Sequence, residues 1–115
     1  MSVDQDFMVV LKSHRFGEGE PELGERLLKI FLSVLLESGQ LPAKIVCLNT
    51  GVFLTTRESP VLELLKRFEA EGVQIFSCGT CLEYFQAKDQ LKVGQAGNMR
   101  DTVRSMLSCS KILEP

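Results

Sequence analysis

The sequence predicts an α/β fold on a mainly parallel sheet, and three observations carry that expectation. Apolar runs recur at Phe7-Met8-Val9-Val10-Leu11, Lys44-Ile45-Val46-Cys47-Leu48 and Val73-Gln74-Ile75-Phe76-Ser77, and continuous runs of this length suit strands covered on both faces. Helical segments alternate with them. The connections are short, and strand–helix alternation with short connections argues for parallel strands with helices packed on both faces. The 115 residues provide one domain, 1–115, with one core.

The elements follow in order. After the first strand, Ser13-His14-Arg15-Phe16-Gly17-Glu18-Gly19-Glu20 reads as a loop. Pro21 opens a helix, with Glu20, Glu22 and Glu25 near its positive end. That helix runs to about Ser38, and Gly39 stops it. Asn49-Thr50-Gly51 turns after the second strand, and Val52 to Thr56 reads equally as strand extension or covering loop. Ser59-Pro60 reads as an N-cap followed by proline at the first helical position, and Gly72 ends this second helix. Cys78-Gly79-Thr80-Cys81 turns the third strand into a helix carrying Leu82 and Phe85. A short fourth strand is expected near Leu91-Lys92-Val93, Asn98 caps a helix containing Met99, Val103 and Met106, and Lys111-Ile112-Leu113 is the last strand. The first helix is apolar around most of its circumference, which points to burial on two sides and hence to a homo-oligomer.

Composition excludes several classes. A net charge of −2 leaves no basic footprint for nucleic acid. The stretch from Leu27 to Leu36 is too short and too interrupted to cross a bilayer, and the polar start at Met1 to Asp6 is no signal peptide. A soluble, cytoplasmic protein is expected. In that setting the four cysteines, Cys47, Cys78, Cys81 and Cys109, are not a disulfide framework. Neither is an intrachain zinc site expected, because the remaining Cys and His are isolated from the Cys78/Cys81 pair. No cofactor is expected.

In an open parallel sheet, ligand sites lie beyond the carboxyl ends of the strands. Three loops leave such ends, carrying His14 and Arg15, then Asn49, Thr50 and Gly51, then Cys78 and Cys81; Asn98 closes a fourth loop expected at the same edge. Cys78 sits where a strand hands over to a helix, where backbone N–H groups favour a thiolate. Gly79 permits a tight turn, Thr80 offers a hydroxyl, and Cys81 follows one turn later to resolve an oxidised or persulfidated Cys78, or to be buried. Cys47 and Cys109 read as structural. A thioredoxin-type enzyme would show a tryptophan before the cysteines and a cis-proline loop after them; the chain has no tryptophan and no proline between Cys81 and Pro115.

The run Ile75-Phe76-Ser77-Cys78-Gly79-Thr80-Cys81-Leu82-Glu83-Tyr84-Phe85, followed by Leu91-Lys92-Val93-Gly94 and Asn98-Met99, closely resembles the DsrE-like domain of YedF-type proteins. Gly17-x-Gly19 with Leu23-Gly24, Asn49-Thr50-Gly51-Val52 and Ser59-Pro60-Val61-Leu62 agree with it. The resemblance implies a three-layer α/β/α sandwich, assembly into homo-oligomers, and sulfurtransferase-like roles with a suspected link to selenium metabolism. In DsrE-like sulfur carriers a cysteine accepts a persulfide and passes it on, and Cys78 best matches that cysteine. YedF-type proteins often carry a TusA-like domain with a Cys-Pro motif. This sequence has no Cys-Pro pair, so a separate TusA-like protein is the expected donor or acceptor. Three functions stand: a sulfur or selenium relay, a non-catalytic oligomeric module for a small ligand or anion, and a thiol–disulfide redox switch.

Overall fold

The computed structural model describes residues 3–56 and 58–115. Among the described residues five strands are present: β1 (Val3–Leu11), β2 (Leu41–Cys47), β3 (Gln74–Cys78), β4 (Gln95–Gly97) and β5 (Lys111–Leu113). Four helices join them: α1 (Pro21–Ser38), α2 (Leu62–Ala70), α3 (Gly79–Tyr84) and α4 (Met99–Ser108). The strand order is β4-β3-β2-β1-β5, and each neighbouring pair is parallel. The first three crossovers step one way across the sheet and the fourth returns past β1. Right-handed crossovers therefore place α1, α2 and α3 on one face and α4 on the other. The result is the expected three-layer α/β/α sandwich.

The two-residue period of the strands sorts their side chains between those faces. Phe7, Val9, Leu11, Ile45, Cys47 and Ile75 point into the main core with Leu28, Leu32, Leu65, Phe68 and Leu82 from α1, α2 and α3. Met8, Val10 and Val46 point the other way, toward Met106 of α4. Here α4 buries Thr102 and Ser105.

Helix boundaries follow local chemistry. Pro21 occupies the first turn of α1, and Gly39 ends it in the left-handed region at φ 76°. Asn98 caps α4, its side-chain oxygen accepting the Asp101 N–H at 2.8 Å. Two expectations shift. Helix α2 begins at Leu62 after Val61, not at Pro60, because the Ser59 hydroxyl accepts the Val61 N–H (3.2 Å) in a separate turn before it. The fourth strand is Gln95–Gly97, not Leu91–Val93. Leu91 makes a lone antiparallel bridge with Thr56, and Gly94 turns the chain at φ 73°, where a Cβ would meet the Ile75 carbonyl oxygen at 2.5 Å. The undecided Val52–Thr56 stretch belongs mostly to a 3-10 turn over Asn49–Leu54.

Candidate functional site

Parallel pairing brings the carboxyl ends of the strands to one edge, and backbone contacts tie their loops together. The Leu48 N–H reaches the Leu11 carbonyl at 2.9 Å. Gly51 lies so close behind it that a Cβ would run into that same carbonyl oxygen. The His14 N–H points to the Thr50 hydroxyl at 3.4 Å, and the Asn49 N–H donates to Cys81 Sγ at 3.1 Å. Asn49 makes that bond from a left-handed backbone, φ 52°, which asparagine tolerates better than most residues. Cys78 pairs in register with Gly97, immediately before Asn98.

Cys78 is the last residue of β3 and is 5 % exposed. Cys81 is half-buried one turn into α3, with Cys78 within side-chain hydrogen-bond reach. Burial raises the Cys81 thiol above its ordinary value, the Asn49 N–H opposes that rise, and Cys78 beside it adds to it. Helix α3, which follows Cys78, is only six residues long. Gly79 is half-buried, and Thr80 is exposed on the first turn of α3.

His14 and Arg15 belong to a different part of the edge. The His14 ring stands edge-on to Phe53 (5.6 Å), and Phe53 in turn packs against Phe85 at 4.7 Å. Beyond His14 is a cavity of about 300 Å³ lined also by Glu25, Leu28, Phe53 and Val61. Neither Cys78 nor Cys81 lines it. Burial and then Arg15 lower the His14 pKa, with Glu25 opposing, so His14 brings no positive charge to the thiols near neutral pH. Arg15 Nε lies 3.6 Å from Glu25. The Arg15 charge is thus directed toward Glu25.

Cys47 is fully buried beside the Ser77 hydroxyl, which itself bonds Thr55 at 2.6 Å. Burial pushes the Cys47 thiol up to about 12, making it a core residue rather than a nucleophile. Cys109 packs half-buried near Met8, Val10 and Val46. All four cysteines are free thiols. Among the described residues, no group of three or more His, Cys, Asp or Glu side chains could hold a metal ion.

No family model matches the sequence, and no curated protein matches it. The fold has solved relatives. The ychN protein of E. coli superposes with a TM-score of 0.71 at 17 % identity, over 97 % of this chain and 100 % of its own. MTH1491 of Methanobacterium thermoautotrophicum, described as a protein of unknown function, gives 0.69 at 16 % identity over 97 % and 100 %. BT1422 of Bacteroides thetaiotaomicron, also of unknown function, gives 0.67 at 16 % over 96 % and 95 %. The chain has a DsrE-like fold. At these identities the likeness is one of architecture and carries no residue roles. Among the described residues no helix is long and apolar enough to cross a membrane.

Proposed function

We propose that this chain is a sulfur or selenium relay protein of the YedF-type group, working in the cytoplasm with a separate TusA-like donor or acceptor. One observation carries the reading. Two free thiols, Cys78 and Cys81, meet side by side at the carboxyl end of an interior parallel strand, and a backbone N–H is directed at one of them. In the loading step the Cys78 thiolate attacks the terminal sulfur of a donor persulfide. The S–S bond of the donor breaks, Cys78 becomes a persulfide, and the donor leaves as a thiolate. An acceptor thiolate then takes the terminal sulfur from Cys78 by the same displacement. When Cys81 attacks instead, it forms a Cys78–Cys81 disulfide and expels hydrosulfide. The exposed apolar stripe of α1, Leu23, Leu27, Ile30 and Val34, supports assembly with further copies of the chain.

The contact between the two thiols also favours a second reading, a thiol–disulfide switch. Intact-mass measurement after incubation with a small persulfide separates them. The relay predicts mass added in steps of one sulfur atom, lost in Cys78→Ser and retained longer in Cys81→Ser. Loss of two hydrogens with no sulfur gained supports the switch. Sulfur found on Cys81 alone overturns the role of Cys78.

A further inference from the structure

Strand β2 reads Leu41-Pro42-Ala43-Lys44-Ile45-Val46-Cys47, and every residue except Lys44 is buried. A lone cation inside such a strand breaks the local rule, and such breaks concentrate at functional positions. Lys44 points to the α4 face. Its ammonium donates to Ser105 Oγ at 2.7 Å and stands 5.8 Å from the centroid of the Phe76 ring. It makes no ion pair with a carboxylate among the described residues.

The surrounding face is hollow. Between α4 and the strands β2, β3 and β4 lies a pocket of about 480 Å³, larger than the one beside His14 and far more polar. Its floor is Val46, Phe76 and Gly97, and its wall is the Thr102, Ser105 and Arg104 side of α4. Lys44, Ser105 and Arg104 supply the donors there, whereas the Thr102 and Ser108 hydroxyls donate to the Asn98 and Ser105 carbonyls. An ammonium has three N–H bonds, and Lys44 uses one on Ser105. Ser105, accepting from Lys44, keeps its own hydroxyl hydrogen without an acceptor among the described residues. Arg104, at the rim, has only a 4.0 Å contact with Asp101. Asp101 also lines the pocket, and its carboxylate accepts from the Asn98 amide at 3.1 Å.

The two remaining Lys44 N–H bonds and the Ser105 hydroxyl hydrogen, over an aromatic floor, call for an acceptor-rich ligand with a flat body. We propose that this face binds a small anion, a phosphate or carboxylate on a planar group, with its charged head on Lys44 and Ser105 and its body against Phe76. The site is independent of the sulfur chemistry. Charge-assisted hydrogen bonds to the head supply most of the binding and ring contact supplies the selectivity.

Calorimetric titration of the full chain with phenyl phosphate, benzoate, inorganic phosphate and the neutral benzyl alcohol tests it. Saturable binding of phenyl phosphate or benzoate is expected, about tenfold or more tighter than inorganic phosphate or benzyl alcohol. Lys44→Met should weaken it by about tenfold or more and Ser105→Ala by several-fold, whereas Cys78→Ser should leave it unchanged. Amide chemical-shift changes should centre on 95–97 and 102–105, and thermal melting confirms that each variant is folded. Should Lys44→Met fail to fold, Phe76→Leu takes its place and must weaken phenyl phosphate more than inorganic phosphate. No saturable binding of either aryl anion overturns the proposal. So does affinity that survives Lys44→Met, or shifts centred around His14 and Val61.

Discussion

The two faces of the sheet share the same strands and solve burial in different ways. On the α1–α3 face, strand and helix residues interlock as leucine, valine, isoleucine and phenylalanine, with Phe68 and Leu65 completely covered. On the α4 face, a ten-residue helix covers β1 and β5 with Met106 near Met8 and Val10, then lays serine and threonine toward β2. Adjacent residues of one strand record the difference. Cys47 is sealed in the first face, whereas Val46 faces the second and borders an open pocket. The first face is filled with apolar side chains; the second keeps a small apolar cluster beside a polar pocket.

Thiol reactivity should show the contrast most strongly. With Cys78 and Cys81 both replaced by serine, Cys109 and Cys47 report on opposite faces. A thiol pushed up to about 12 carries roughly a thousandfold less thiolate at neutral pH than an ordinary one. Cys47 should therefore resist iodoacetamide until the protein unfolds, while half-buried Cys109 labels in the native state. Comparable native labelling of both would erase the distinction between the faces.

Truncation gives the next effect. Phe68→Ala removes a fully covered ring from the packed face and should cost about 3–5 kcal/mol in urea unfolding. Lys44→Met, on the open face, trades one hydrogen bond for apolar contact and should change stability by about 1 kcal/mol or less. A larger loss would mean that Lys44 holds the fold together instead of serving a ligand.

The smallest effect lies at the rim, where His14 joins the packed face to the carboxyl edge. Its folded pKa lies below the ordinary 6.5, first through burial and then through Arg15. The unfolded chain thus takes up the proton more readily. The His14 contribution is fully present above about 6.5 and is lost as pH falls from there through the lowered folded value. Wild type should lose melting temperature over that interval more steeply than His14→Gln; parallel curves would show that the ring is not desolvated.

The resemblance and the apolar runs made the sandwich, its parallel sheet and most helix ends legible in advance. Loop convergence at the carboxyl edge was equally readable, since it follows from parallel strands alone. The fourth strand was not. Gln95-Ala96-Gly97 has no apolar pattern and is a strand only because the edge of β3 offers it a ladder, whereas Leu91-Lys92-Val93 alternates like a strand yet fills a corner of the core, with Val93 buried. Lys44 is not legible as a site from the sequence, because a charge at the head of an apolar run reads as a boundary. Its one visible signal was a cation in a strand that extends apolar on both sides, back to Leu41.

The sequence alone encoded β1, β2, β3, β5 and most helix ends, because side-chain periodicity and capping residues act over a few neighbours. It also brought His14, Asn49 and Cys78 to one edge, because parallel strands end together. What those residues face follows from tertiary packing. It turned His14 toward Phe53 and Glu25, set Asn49 on Cys81, buried Cys78, and left Lys44 and Ser105 sharing a pocket. The Asn49–Cys81 and Lys44–Ser105 contacts join residues 32 and 61 positions apart in the chain, and their strength is set by burial and dielectric that no local pattern encodes.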